Sequence, residues 1–128
     1  MDRDTGRPNH IEDVLIELHG GQWFTWLDPF QKVYENLILT EKVSADGGEI
    51  IDNPVKSLPT EKELTDALIK KQADFDAEAY ARTRVENYPR IEEQLDLLYH
   101  DMTSDKGDKT GEWYKAVKKV KDDNPKPE

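Results

Sequence analysis

The chain has 128 residues, 35% hydrophobic and 36% charged, with a mean hydropathy of −0.91, a formal net charge of −10 and no cysteine. That length allows one core but not two full-sized domains, and so few apolar residues suit an elongated or oligomeric soluble protein better than a dense enzyme. The absence of cysteine excludes disulfide frameworks, thiolate zinc sites and cysteine nucleophiles. The acidic balance argues against nucleic acid as a partner.

No stretch approaches the roughly 20 apolar residues of a membrane span, and Met1-Asp2-Arg3-Asp4 leads into no apolar signal core, so no membrane association and a cytosolic setting are expected. Lysines 106, 109, 115, 118, 119 and 121 face only Asp108 and Glu112 in their window, a local basic excess. It reads as a solvated helix face or a docking surface for an acidic partner.

Residues 1–57 are expected to form an N-terminal unit of one helix and a β-hairpin. Asn9 and Glu12 have capping-box spacing. Ile11, Val14, Leu15 and Leu18 then recur at helical spacing, and Gly20-Gly21 closes the segment. Residues 22–27 and 33–40 are rich in β-favouring side chains and flank Asp28-Pro29, which predicts two paired strands. A third short strand is expected at Glu49-Ile50-Ile51, after a turn carrying Gly47-Gly48.

Residues 58–128 are expected to be helical. Pro54 and Pro59 bracket a connector, and Thr60-x-x-Glu63 is a capping box opening a helix over 60–87, since neither proline nor glycine interrupts 61–86. Its apolar stripe, Leu64, Leu68, Phe75, Tyr80 and Val85, is narrow and broken by Lys71 and Arg82, which suits a two-helix contact or a modest oligomeric seam. Tyr88-Pro89 ends it, and Pro89 opens a helix over 89–103. Ile91, Leu95, Leu98 and Met102 make an amphipathic face there, with Tyr99 on its shoulder. A helix over 111–122 carrying Trp113, Val117 and Val120 is expected to close on that face as a hairpin. The fold class is thus α+β: a small N-terminal helix and antiparallel hairpin or short sheet, then a long helix and a C-terminal helical hairpin.

Phosphate loops, nucleophile elbows, zinc-protease motifs and dinucleotide glycine patterns are absent, so no catalytic residue and no cofactor is assigned. Asp101 to Glu112 has the length of a calcium loop, but Lys106 occupies the position that needs glycine. His10, His19 and His100 lie in no metal-ligand spacing. Trp23, Phe24 and Trp26 form either the core of the β unit, its contact with a partner or a ligand-stacking surface.

Arg84 to His100, R-V-E-N-Y-P-R-I-E-E-Q-L-D-L-L-Y-H, resembles the R-x-x-x-Y-P-x-I-x-x-Q-L-D-x-L-Y-H signature near the C-terminus of many short proteins of tailed bacteriophages. Such proteins are often encoded beside tail-fibre genes, and are common among phages of cyanobacteria and other aquatic bacteria. Gln22-Trp23, Tyr34-Glu35-Asn36-Leu37, the Leu58–Leu64 helix start and the proline-lysine tail at 124–127 are similar to features of that group. The chain departs from it at Glu92-Glu93, where Gly-Asp is frequent, and in a longer loop over 103–111.

The resemblance implies a non-enzymatic, virion-associated tail or tail-fibre attachment component, with a tail or tail-fibre protein as partner. The alternative it implies is a tail-fibre assembly chaperone that does not stay in the particle and acts in the host cytoplasm. A small host-directed regulator or metal-binding protein is a further alternative from another class. Candidate partner-binding residues are Trp23, Phe24, Trp26, Tyr34, Tyr88, Gln94 and Asp96; the group supplies no catalytic residue.

Overall fold

A computed structural model describes residues 1–128. The element order is α1 (Glu12–Leu18), β1 (Phe24–Trp26), a 3-10 turn (Tyr34–Asn36), β2 (Leu37–Leu39), β3 (Lys42–Ser44), β4 (Ile50–Asp52), α2 (Glu61–Ala77), α3 (Ala79–Asn87), α4 (Ile91–Thr103) and α5 (Glu112–Asp123). The fold is α+β and mostly helical. The chain divides into two units, Met1–Phe75 and Asp76–Glu128. The division falls after Phe75, not at residue 57, because Leu64 of α2 is buried in the N-terminal core with Leu68 packed against it. No helix is long and apolar enough to cross a membrane.

In the first unit, β1 and β2 pair antiparallel with Phe24 opposite Leu39 and Trp26 opposite Leu37, and β3 and β4 form a second antiparallel hairpin with Val43 opposite Ile51. The core gathers Val14 and Leu15 of α1, Trp23, Phe24, Leu37, Val43 and Leu64. The second hairpin corrects the expectation of a single third strand. Gly47 and Gly48, at φ +88° and +86°, close its turn, and Lys42–Ser44 supplies the partner that the sequence pattern hides, since only Val43 of β3 is buried.

Residues 34–36, expected in a strand, form the 3-10 turn instead. Asn36 Nδ2 donates to Gln31 O at 2.8 Å and Tyr34 Oη to Pro59 O at 2.7 Å, so side chains hold the loop in its bend. Helix α1 also starts differently. Its N-cap is Ile11, without a side-chain cap. The first helical amide, that of Glu12, donates to His10 Nδ1 at 3.0 Å, and Asp13 reaches back to the amides of Asn9 at 3.0 Å and His10 at 3.2 Å ahead of the helix.

Asn53 joins the two hairpins. It is buried; its Nδ2 donates to Trp23 O at 2.7 Å and Thr40 O at 2.9 Å, and its Oδ1 accepts from Val55 N at 3.0 Å. Helix α2 opens as its sequence requires, with Thr60 Oγ1 accepting the Glu63 amide at 3.1 Å.

The helix expected to run from 60 to 87 is interrupted at Glu78, whose φ of −94° and ψ of 2° depart from helical values. No proline or glycine marks the break. Its physical reason is that the apolar stripe does not continue: Leu64 and Leu68 belong to the first core, whereas α3 contributes no buried residue and Val85 is exposed.

In the second unit, Tyr88 ends α3 with an extended backbone (φ −63°, ψ 142°), as a residue before proline should. Pro89 stands just outside α4, whose N-cap is Arg90, rather than in its first turn. Helix α4 ends in a Schellman turn. Asp105 sits at φ +57°, Lys106 N donates to Asp101 O at 2.6 Å and Asp105 N to Met102 O at 3.2 Å. Helices α4 and α5 then pack against each other, as expected of a hairpin.

Candidate functional site

The face by which α4 meets α5 is not the one its periodicity announces. Gln94, Leu97, Leu98 and Asp101 are the residues shielded from solvent, at positions i, i+3, i+4 and i+7 of one side. Gln94 links the corner to the last helix. Its Nε2 donates to Pro89 O at 2.8 Å, and its Oε1 accepts the Trp113 indole N–H at 3.2 Å. Asp101 is buried, and its two carboxylate oxygens accept the Glu112 and Trp113 amides at 3.0 and 2.9 Å. A side chain from α4 therefore caps the N-terminus of α5. Those two amides, helped by Lys106 and Lys115, hold the carboxyl below its usual range against the opposing effect of burial.

Gly111 is the residue that lets this happen. A Cβ there would lie 2.3 Å from Lys106 O and 2.6 Å from Asp101 Oδ2. At the other end of α5, Arg84 of α3 donates from Nε to Asn124 O at 2.8 Å and from a terminal nitrogen to Lys121 O at 3.3 Å. Helix α5 is thus held by an acid at its N-terminus and a base at its C-terminus, each favourable to the helix dipole and each supplied by another helix.

The consequence is an open apolar face. Ile91 is 64% exposed, Leu95 60%, Tyr99 67% and Met102 65%. These are the residues expected to pack on α5, and the structure corrects that expectation: of the predicted stripe only Leu98 is shielded. Of the candidate partner-binding residues nearby, Tyr88 is half-buried at the corner, Gln94 is committed to internal hydrogen bonds, and Asp96 is exposed, 3.5 Å from His100.

The aromatic candidates of the first unit are brought together but mostly inward. Trp23 is buried with its indole N–H on Leu15 O at 3.1 Å. Its ring meets Phe24 edge-to-face at 5.1 Å, and Phe24 meets Trp26 at 6.1 Å. Burial removes Trp23 from any open docking surface; it and Phe24 belong to the core, the simpler of the roles expected for them, and Phe24 keeps an edge on the cleft beside it. Trp26 is half-buried and its buried Nε1 has no hydrogen-bond partner. It lines, with Phe24, Ile16, Pro29 and the Glu12–Lys32 ion pair, a cleft of about 560 Å³. Tyr34 is half-buried and spent on Pro59.

The chain matches no protein-family model, no curated protein and no solved structure.

The histidines are not assembled. His10 Nε2 lies 2.7 Å from Lys32 O while its Nδ1 accepts the Glu12 amide at 3.0 Å, which assigns the neutral Nε2–H tautomer and uses both nitrogens. His19 packs edge-on to Trp23 at 5.1 Å, and His100 faces Asp96. No group of three or more histidine, aspartate or glutamate side chains is placed to hold a metal. In the window considered as a calcium loop, Asp101 is engaged as a helix cap.

The lysine cluster is less basic than its first count suggested. Lys118 pairs with Asp122 and Lys119 with Asp123, the latter at 2.6 Å, and these carboxylates raise both ammonium pKa values by hydrogen bonding and charge. The residues missed in the sequence, Arg84 as a cap, Asp101, Gly111 and Asn53, carry no local pattern. Only a polar residue on the shoulder of an apolar stripe could have signalled Asp101.

Proposed function

We propose that the chain is a non-enzymatic structural protein associated with the tail of a bacteriophage virion, a tail or tail-fibre attachment component. The observation that carries this is the string from Arg84 to His100, which resembles the phage signature and whose polar members have structural employment. Arg84 caps α5, and Gln94 ties Pro89 to Trp113. The string therefore encodes a helical scaffold, the kind of part an attachment protein presents to a neighbour.

The net charge of −10 favours a second reading, a soluble chaperone of tail-fibre assembly that leaves before the particle matures. Mass spectrometry of gradient-purified particles of the phage encoding the chain separates the two. Stoichiometric recovery is expected for the structural component. Absence from particles, together with soluble fibre trimers only when the chain is co-expressed, would replace it with the chaperone.

A further inference from the structure

The sheet formed by β1 and β2 has only these two strands, and the outer edge of β1 is built into a slot. Thr40 N donates to Trp23 O at 3.1 Å and Leu27 N to Asn36 O at 2.7 Å, with Thr25 opposite Ile38 between them. In an antiparallel ladder these alternate positions turn their main-chain groups towards the partner strand. The N–H and C=O of Phe24 and Trp26 therefore point the other way, where no strand meets them.

What they face is walled. The cleft of about 560 Å³ runs beside the strand from Gly21 to Trp26, with Glu12 and Ile16 of α1 across it. Thr25 lines it as well as Phe24 and Trp26. Neighbouring residues of a strand point to opposite faces, so a cleft touching both sets lies against the edge. His10 sets the rim: its Nδ1 accepts the Glu12 amide at 3.0 Å, its Nε2 bonds Lys32 O at 2.7 Å, and its ring meets Trp26 edge-on at 5.8 Å. The slot is thus formed before anything enters it.

Its chemistry names the occupant. Open edges are ordinarily blunted by charge or proline; β4 has Glu49 and Asp52, whereas residues 21–27 hold neither a charged residue nor a proline. Trp26 keeps its place in the wall with its Nε1 buried and without a partner, a local cost of the kind found where a side chain serves a site. Glu12 and Lys32 already pair at 3.0 Å, so the slot asks for no charge, and a net −10 turns acidic segments away. A row of alternating donors and acceptors at strand spacing is matched by a peptide backbone.

We propose that β1 receives an uncharged, extended peptide segment of a partner as an added strand, independently of any place in a particle. Antiparallel addition gives the better hydrogen bonds. Partner residues opposite Phe24 and Trp26 share their face and should be aromatic or β-branched, while the one opposite Thr25 falls on the other face and should be threonine-like.

The probe is a pool of peptides Ac-Lys-Gly-X-Thr-X-Gly-Lys-NH2, with X drawn from Val, Ile, Tyr and Phe and the lysines serving solubility. Titrated to about 2 mM into the isotope-labelled full chain, it should bind with a dissociation constant on the order of 100 µM. The largest amide shifts should fall on Phe24 and Trp26. Hydrogen exchange at those two amides should slow by roughly ten-fold or more, while that of Thr25, already bonded to β2, stays as it was. Methylating the two X nitrogens removes the donors and keeps the side chains, and should weaken binding by roughly ten-fold or more.

Ile16→Arg crowds the slot from the helix side and should abolish binding with the far-UV spectrum unchanged, because Ile16 is 60% exposed. If that variant unfolds, the methylated pool carries the test. No shift at 2 mM, equal binding of the methylated pool, or unaltered exchange at Phe24 and Trp26 would each overturn the proposal. So would shifts at those residues that follow the chain's own concentration without peptide, since the edge would then belong to a second copy.

Discussion

Replacing Asn53 with alanine deletes four hydrogen bonds from the junction of the two β-hairpins: those to Trp23 O, Thr40 O and Thr40 Oγ1 and that from Val55 N. Each is worth about 0.5–1.5 kcal/mol net, and a buried partner left unsatisfied costs more than the bond itself. Trp23 O keeps a second donor, Thr40 N at 3.1 Å, and Val55 is only half-buried, so water can reach its amide. Thr40 is half-buried as well, so no partner carries the full penalty of a stranded group, and the expected loss is about 2–3 kcal/mol from the lost bonds together. For a cooperative unit of 75 residues this is roughly 10–20 °C in Tm.

Chemical denaturation followed by the indole N–H resonances resolves the effect by unit, because Trp23 and Trp26 report the first unit and Trp113 the second. Asn53→Asp sharpens the test. It keeps the acceptor for Val55 but turns the donor into an oxygen facing two carbonyls, so its carboxyl is raised above the unfolded value of about 3.9. The ionised form disfavours the fold; the penalty is absent below the unfolded pKa, grows as pH rises through the interval between the two values, and is constant above it. The aspartate variant should therefore be the less stable of the two at pH 7 and recover towards pH 4. A loss below about 1 kcal/mol for alanine, or an aspartate variant insensitive to pH, would refute the assignment of Asn53 as the junction.

Gly111→Ala should destabilise the second unit by about 1–3 kcal/mol in urea titrations, since its methyl meets Lys106 O and the capping carboxylate at under 3 Å; an unchanged midpoint would contradict the close approach. Asp105→Gly should stabilise by up to about 1 kcal/mol, because glycine relieves the left-handed backbone at φ +57° that ends α4. Acid unfolding checks the caps. The Asp101 carboxyl is held below 3.8 by the Trp113 and Glu112 amides. The Asp13 carboxyl is also lowered, since the N-terminal ammonium and the Asn9 and His10 amides outweigh its burial. The stability they supply is complete above the unfolded value and is lost as pH falls through the lowered folded values. The wild-type curve should therefore drop below pH 3.8, and Asp101→Asn should flatten that drop for the second unit.

What was legible in the sequence is what local chemistry decides. Thr60 and Glu63 mark a helix start because a hydroxyl and an amide three residues apart meet without help from elsewhere. Tyr88-Pro89 marks a corner because the pyrrolidine ring restricts its own neighbour. The paired strands β1 and β2 and the C-terminal hairpin followed from such signals. The break at Glu78 did not, because it reflects which unit each half of the helix serves.

The choice of face on α4 was also hidden. Periodicity favours Ile91, Leu95, Leu98 and Met102, yet two polar residues turn inward because their partners, Trp113 and the amides of α5, lie 11 to 19 residues away. The candidate site inherited the same difficulty. Aromatic density pointed to Trp23 and Phe24, which the core consumes, while the face left open was read as core.

Helix α5 contains four lysines and three acids among twelve residues and buries only Val120, so little of its stability is its own. Anchored at one end by Asp101 and at the other by Arg84, it borrows its ends from two different helices. The second unit must consequently assemble as one event: α4 cannot satisfy Asp101 before α5 winds, and α5 cannot hold its last turn before α3 delivers its guanidinium. Amides along α5 should exchange with solvent only when the whole unit opens, and a peptide of residues 112–123 should be largely unstructured in water.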